Sequence, residues 1–439
     1  MPGPGRKPKK AGRARHGTGS IYWDKKRKQY VGKISLGTDA NGKRIRPTFY
    51  GKTKREVQEQ IDQAKKDALL GPYVVPERLT VAEHFDGWLR TKAENLAPTT
   101  FSQYEWRYQK HIRPMLGGVQ LRKLDYRRIE AFYDHLRQSG LGQRTIYDIA
   151  ALLRQGLEDA VKKGIVPNNQ AKVAASPRVQ KQEARFLNHQ EAQVFLEAAA
   201  GEYLEEFFIV ALHTGLRASE LLGLTWDAVD LDGRKLTVRQ AMHEVRGIMQ
   251  LGDVKTQASR RTISLSQEAV AALRRQRKKQ MATQLAAGHQ WDNDLGLVFT
   301  NRIGGPLIRT NITKRDLRRI LNRSAIIAAA KRYGYHNTQD VLQANTDMPA
   351  RAVKVGDRFL LPDGRVGELI AADIMEGVGI HTFRHTHASM LIAAGTDILT
   401  VSRRLGHENI RITLDLYGHL MPGQDEAAAD AMDRLFRQA

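Results

Sequence analysis

Cysteine is absent from the 439 residues, which excludes disulfides, thiolate zinc sites and cysteine nucleophiles and suits a reducing cytoplasm. Long apolar runs are missing as well. No stretch approaches the roughly 20 residues that a membrane helix needs, and the N-terminus carries no apolar signal-peptide core, so a soluble cytoplasmic protein is expected. Acidic residues are scarce at one end. Residues 1–78 hold 20 Lys and Arg against 7 Asp and Glu, a net +13 within a chain total of +23. Such asymmetry points to a polyanion, nucleic acid above all. A basic tail serving only solubility would not lead, as this one does after residue 17, into an ordered pattern of strands.

What is present argues for several domains, mainly α with small β elements, because a chain this long exceeds what one core usually organises. Residues 1–16 are Pro, Gly and Lys/Arg with almost nothing to bury. They read as a disordered tail in which Arg6, Lys7, Lys9, Lys10, Arg13 and Arg15 contact phosphates. Residues 17–72 predict a small domain of three strands (19–23, 29–36 and 44–50) and one helix. Thr53 caps that helix, Val57, Ile61, Ala64 and Ala68 recur at helical spacing, and Gly71 ends it. A basic sheet of this kind fits a DNA groove. Residues 79–168 predict a wholly helical domain, with segments near 80–94, 98–115, 126–139 and 143–163. Thr80, Thr99 and Asp125 are the expected N-caps, and Gly117, Gly140 and Gly164 the expected stops. The proline-bearing polar stretch after residue 165 reads as an interdomain linker, assigned to 169–184. Residues 185–439 then predict a mixed, mainly helical domain with strands near 234–249 and 260–265.

That last domain carries the chemistry. Arg217 follows a Thr-Gly turn in AALHTGLRASELLGL, and Lys255 stands at the edge of a hairpin-like turn in GDVKTQASRRTISL. His381, Arg384, His407 and Tyr417 crowd into the segment HTFRHTHASMLIAAGTDILTVSRRLGHENIRITLDLYGHL. Two arginines, two histidines, a lysine and a tyrosine match what metal-free phosphodiester transfer requires, so no metal or other cofactor is expected. Guanidinium forks bind phosphate oxygens in pairs and keep their charge. A histidine near neutrality, His381 on this reading, accepts a proton from the tyrosine, whose phenol ionises at about pH 10 in water. Lys255 supplies a proton to the departing 5′-oxygen. A phosphotyrosine would store the bond energy, so that religation needs no nucleotide.

These motifs, taken together with LGH and in this order and spacing, resemble those of the tyrosine recombinases, the phage-integrase family. The resemblance extends over about residues 79–439, with the helical block similar to the family's core-binding domain. Residues 17–72 are similar to the arm-type DNA-binding domains of some integrases. It implies a site-specific recombinase that integrates or excises a mobile element through a 3′-phosphotyrosine. Tyr417 is then the nucleophile, Arg217, Lys255, His381, Arg384 and His407 the activating set, and Glu220 a supporting carboxylate. His385, His387 and His419 fall outside the family's catalytic positions and are read as structural. The resemblance also implies core-type and arm-type DNA sites in a bacterial host's nucleoid, a homotetramer on DNA, and directionality or bending factors. A type IB topoisomerase would share the chemistry and a decayed DNA-binding regulator would share the fold. The arm-like domain argues against the first and the complete residue set against the second.

The family pattern is broken once. Between Ser324 and His381 lie 56 residues, far more than the family's connection, and Pro362-Asp363-Gly364 within them reads as the turn of a β-hairpin. This insertion, about 333–378, carries a net charge of −3, which argues against DNA contact and for a face that meets protein.

Overall fold

The computed structural model describes residues 20–25, 27–36, 46–69, 78–179, 183–254, 256–347, 349–420, 429–430 and 432–434. Arg6, Lys7, Lys9, Lys10, Arg13, Arg15 and Lys255 lie outside the described residues. The chain divides into two units, Met1–Lys181 and Gln182–Ala439.

The first unit opens with an antiparallel sheet of β1 (Ser20–Asp24), β2 (Gln29–Lys33) and β3 (Thr48–Gly51) in that order. Helix α1 (Lys54–Leu69) follows, and Val57 and Ile61 bury fully in a small core with Ile34. Thr53 caps it as expected, accepting the Glu56 N–H at 3.2 Å. The strands are shorter than the sequence predicts: β2 stops at Lys33 and β3 begins only at Thr48. Pro47 explains both limits, because it has no N–H to donate to a ladder.

The helical part comprises α2 (Val81–Asn95), α3 (Pro98–Arg107), α4 (Arg113–Leu116), α5 (Tyr126–Gln138), α6 (Gln143–Lys162) and α7 (Gln170–Val173). Thr80 and Glu83 form a reciprocal capping box, and Asp125 accepts the Arg128 N–H at 2.9 Å. Thr99 does not cap. Pro98 opens α3, since its missing N–H would be unpaired there anyway, and Thr99 falls inside the helix. The expected helix 98–115 is likewise not uniform: a π-helical turn, Tyr108–Ile112, joins α3 to α4, and the Arg113 N–H reaches back five residues to the Tyr108 carbonyl. Pro114 follows directly and cannot donate to the ladder. Close approach of α2 and α6 depends on Gly156, where a Cβ would come within 2.2 Å of the Phe85 ring. The stretch read as linker begins with packed structure. Asn169 caps α7, and Ala171 and Ala174 bury in this core.

The second unit contains α8 (His189–Ala199), α9 (Glu205–Thr214), α10 (Ala218–Leu222), β4 (Val229–Asp230), β5 (Lys235–Val238), β6 (Gln240–Val245), β7 (Ile248–Asp253) and β8 (Arg261–Ser264). Strands β4, β5 and β8 make one sheet, while β6 and β7 pair as a separate hairpin. The predicted strand region 234–249 thus takes in β5, β6 and the start of β7, in two sheets. Its hairpin turns on Arg246 and Gly247, both at positive φ, the geometry that suits strand twist. Then come α11 (Gln267–Ala287), α12 (Arg309–Asn311) and α13 (Arg318–Arg332).

The insertion adds α14 (Thr338–Ala344), which the sequence did not reveal, and the hairpin β9 (Arg358–Leu360) and β10 (Val366–Glu368). Val353, Phe359, Leu361 and Leu369 bury against Ala325, Ile326, Ala329 and Ala330 of α13. A hairpin that would be marginal alone is therefore anchored. The unit closes with α15 (Ile380–Ala393), α16 (Ile398–Leu405) and α17 (Ile410–Tyr417). Phe383 is fully buried, with ring centroids 4.8 Å from Phe195 and 5.2 Å from Phe208. That anchor fixes the face of α15 on which His381 and Arg384 stand.

Candidate active site

Helix α9 ends at Gly215 in a left-handed conformation (φ 63°), where a Cβ would strike the His387 ring at 2.5 Å. Two residues on, Arg217 takes the N-cap position of α10 and Glu220 the third helical position. Glu220 accepts the Arg217 N–H at 3.0 Å and Arg217 Nη1 at 2.7 Å, so its carboxylate fixes both backbone and side chain of the arginine. Arg261, from β8, donates to the same carboxylate at 2.9 and 3.2 Å. Burial alone would raise the Glu220 pKa, but the hydrogen bonds and charge of Arg261, with those of Arg217, hold it below the usual carboxylate value.

The C-terminal end of α16 gathers the cations. The carbonyls left without helical donors there carry the negative end of the helix dipole. Arg261 Nε donates to the Arg404 carbonyl at 2.7 Å, Arg384 Nη2 to that of Leu405 at 2.7 Å, and Arg217 Nη2 to that of Gly406 at 2.9 Å. Three successive carbonyls thus hold three arginines around His407, the next residue. Arg384 is 2% exposed and also donates to the Gly215 carbonyl at 2.9 Å, whereas the Arg217 side chain remains 31% exposed. Burial, reinforced by Arg217, brings the Arg384 pKa down to about 9, which leaves it charged at neutrality.

The histidines sit in this positive field. Burial pushes His407 down to about 3, with Arg384, Arg217 and Arg261 adding to the shift. Burial likewise takes His381 to about 4, helped by His385, Arg384, Arg309 and Arg217. The site is therefore a partly buried cluster of cations and neutral imidazoles in which Glu220 is already shared between two arginines. An anion such as a phosphodiester would relieve that imbalance and raise the histidine pKa values.

Tyr417 ends α17, 1% exposed, its phenol pushed up to about 12 by burial despite the opposing charge of Arg384. Its hydroxyl lies 2.6 Å from His385 Nδ1. His381 meets His385 edge-on, ring centroids 4.9 Å apart. Of the residues expected from sequence, Arg217, Glu220, His381, Arg384, His407 and Tyr417 converge. Three others were missed as site residues. Arg261 was visible six residues after Lys255 in GDVKTQASRRTISL, and His385 as the residue beside Arg384. Arg404 was not marked: it donates to His387 Nε2 at 3.0 Å, while His387 Nδ1 lies 2.7 Å from the Leu212 carbonyl. The structural reading of His387 agrees with those contacts, while that of His385 does not fit its place on the tyrosine hydroxyl.

The model of the phage integrase family matches residues 180–341 and 366–423, and that of the phage integrase N-terminal SAM-like domain matches 80–137. The chain belongs to the phage integrase family. It is a tyrosine-type recombinase, an enzyme that cleaves and rejoins DNA strands. Residues 342–365, which the family model skips, fall inside the insertion. Over 98% of this recombinase and 99% of the relative it is 28% identical to an integrase of Streptomyces ambofaciens. It is 27% identical to a XerC-like tyrosine recombinase of Caldanaerobacter subterraneus, over 92% and 95% of the two chains. The integrase of the Tn1549 transposon, solved with a circular intermediate DNA, shares its fold. The TM-score is 0.58 at 20% identity, covering 81% of this chain and 99% of that one.

Proposed function

We propose that this recombinase integrates or excises a mobile element, acting on attachment sites in a bacterial nucleoid. Tyr417 attacks a DNA phosphate to form a 3′-phosphotyrosine. Arg217 and Arg384 hold the two non-bridging oxygens, His407 completes the cradle, His381 belongs to the activating set on the tyrosine side, Glu220 fixes Arg217, and Lys255 protonates the departing 5′-oxygen. The observation that carries this reading is the Tyr417 hydroxyl set beside an arginine-histidine cluster whose positive charge calls for an anion. The helical domain, residues 79–168, reads core-type sites, and the basic tail with the sheet domain, 1–72, reads arm-type sites. Four copies assemble on the DNA, with bending or directionality factors assisting. The Tyr22, Trp23 and Tyr50 side chains exposed on that sheet, with Arg27 5.3 Å above the Tyr50 ring, support the arm-site assignment.

The test is covalent capture. Duplex DNA selected by the protein from random sequence, nicked near the cleavage point, should yield an SDS-stable adduct mapping to Tyr417. Tyr417→Phe should fold, bind the same DNA and give no adduct. An adduct that survives in this variant would move the nucleophile elsewhere. Deleting residues 1–72 should spare this cleavage while removing affinity for a second class of site.

A further inference from the structure

His385 is the imidazole in hydrogen-bonding contact with the Tyr417 hydroxyl, 2.6 Å from its Nδ1. His381, one turn earlier on α15, instead lays its ring edge-on against His385. His407 Nδ1 is engaged by Thr413 Oγ1 at 2.7 Å, and His387 has both ring nitrogens occupied by Leu212 and Arg404. We infer that His385 is the catalytic base that takes the phenol proton, and that His381 is a positioning residue holding the His385 ring. The inference rests on Tyr417 being the nucleophile.

The geometry suits the task, because a general base must reach its proton within about 2.6–3.2 Å. Protonation state suits it too: burial and the neighbouring Arg384 charge lower the His385 pKa, which favours the neutral ring, and in the tautomer protonated at Nε2 its Nδ1 accepts from the hydroxyl. The groups facing His385 are His381 and Arg384 on its own helix, Tyr417 on α17, and His407 after α16. In the forward step the Tyr417 oxygen bonds to phosphorus as the bond to the 5′-oxygen breaks. The phenol proton passes to His385 Nδ1, and the 5′-oxygen takes a proton from Lys255. In religation the 5′-hydroxyl gives its proton back to Lys255 as it attacks phosphorus, the bond from phosphorus to the Tyr417 oxygen breaks, and the imidazolium returns its proton to the phenolate.

The experiment places either tyrosine or 3,5-difluorotyrosine, whose phenol is far more acidic, at position 417 of the full chain. Both forms are combined with His385→Gln, His385→Ala and His381→Ala, and adduct formation is timed on the nicked, selected DNA. His385→Gln keeps a hydrogen-bond acceptor but takes no proton, so cleavage should fall roughly 100-fold and lose its acid limb, with DNA affinity unchanged. Difluorotyrosine should restore the rate at least ~10-fold in both His385 variants and in His381→Ala, since a nearly ionised phenol needs neither the base nor the residue that positions it. Rescue of His381→Ala alone, or an undiminished rate in His385→Gln, would overturn the inference. Should the His385 variants fail to fold, the otherwise unaltered enzyme still decides. Difluorotyrosine should then abolish the acid limb of its rate profile, and an unaltered limb refutes a base at His385. Absence of any Tyr417 adduct in the wild type would instead refute the underlying reading.

Discussion

Glu220 and Arg261 form an ion pair that solvent barely reaches: their side chains are 2% and 7% exposed, and two guanidinium nitrogens meet the two carboxylate oxygens at 2.9 and 3.2 Å. Through this pair β8 is tied to the helix that carries Arg217. Through Arg261 Nε it is tied to the end of α16, beside His407. Arg217 is therefore held by a carboxylate that is itself held.

Removing one member should be costly, since breaking a buried pair leaves an uncompensated charge and typically destabilises by about 3 to 5 kcal/mol. Arg261→Met is expected to lower unfolding free energy by that order in a urea titration. Arg261→Lys should recover only part of it, because an ammonium cannot span both carboxylate oxygens and the Arg404 carbonyl. Cleavage per folded molecule should fall as well. Wild-type stability in Arg261→Met would show that the pair is dispensable.

The general-acid assignment to Lys255 has a chemical signature. Lys255→Ala should cleave an ordinary strand slowly, and a 5′-phosphorothiolate at the scissile position should restore most of the rate, since a thiolate leaves without a proton. A variant equally slow on both substrates would place the acid at another residue.

Stability should depend on pH with a predictable sign. The folded-state pKa values of His407 and His387, both about 3, and of His381, about 4, lie below the ordinary histidine value near 6.5. The unfolded chain therefore binds protons that the folded one refuses. The stability these neutral rings contribute is complete above pH 6.5 and is lost progressively as pH falls toward 3. Melting of the free protein should show this acid decline, and bound DNA should flatten it, because a phosphate among the arginines raises the folded-state values. A decline equally steep with and without DNA would mean that the phosphate does not enter this cluster.

How far the sequence could be read depended on whether an interaction is local. The Thr80, Thr53 and Asp125 caps and the Pro362-Asp363-Gly364 turn are each complete within a few residues, so pattern alone located them. Thr99 misled because Pro98 is the better helix opener. The convergence of Arg217, Arg384, His407 and Tyr417 followed from motif resemblance, not from anything local. The partners that orient them arrive from far along the chain: Arg261 meets Glu220 across 41 residues, and Arg384 meets the Gly215 carbonyl across 169. His385 shows the same limit, because its role depends on a tyrosine 32 residues later that only folding brings to its Nδ1.

The insertion offers the last test, and its packing changes what the sequence alone would have suggested. Replacing residues 336–376 with a short linker looks from sequence like removal of an appendage. In the structure that segment covers Ala325, Ile326, Ala329 and Ala330 of α13, and the carbonyls of Pro349 and Arg351 accept from Asn322 Nδ2 at 3.1 and 2.9 Å. Deletion should therefore lower the melting temperature by baring an apolar helix face, and it cannot by itself report on function. Point changes separate the two effects. Phe359 is buried against α13, so Phe359→Ala should cost about 3 to 5 kcal/mol. Leu360 and Val366, paired across the hairpin and 47% and 60% exposed, should each accept Glu with a stability change within about 0.5 kcal/mol. With a net charge of −3 over 333–378, this face should repel DNA. The doubly substituted protein should then keep its affinity for a single site, measured by titration at two salt concentrations, and show its defect, if it meets another protomer, in multimer formation on paired sites. A large loss of single-site affinity in the folded double variant would show that the insertion touches DNA.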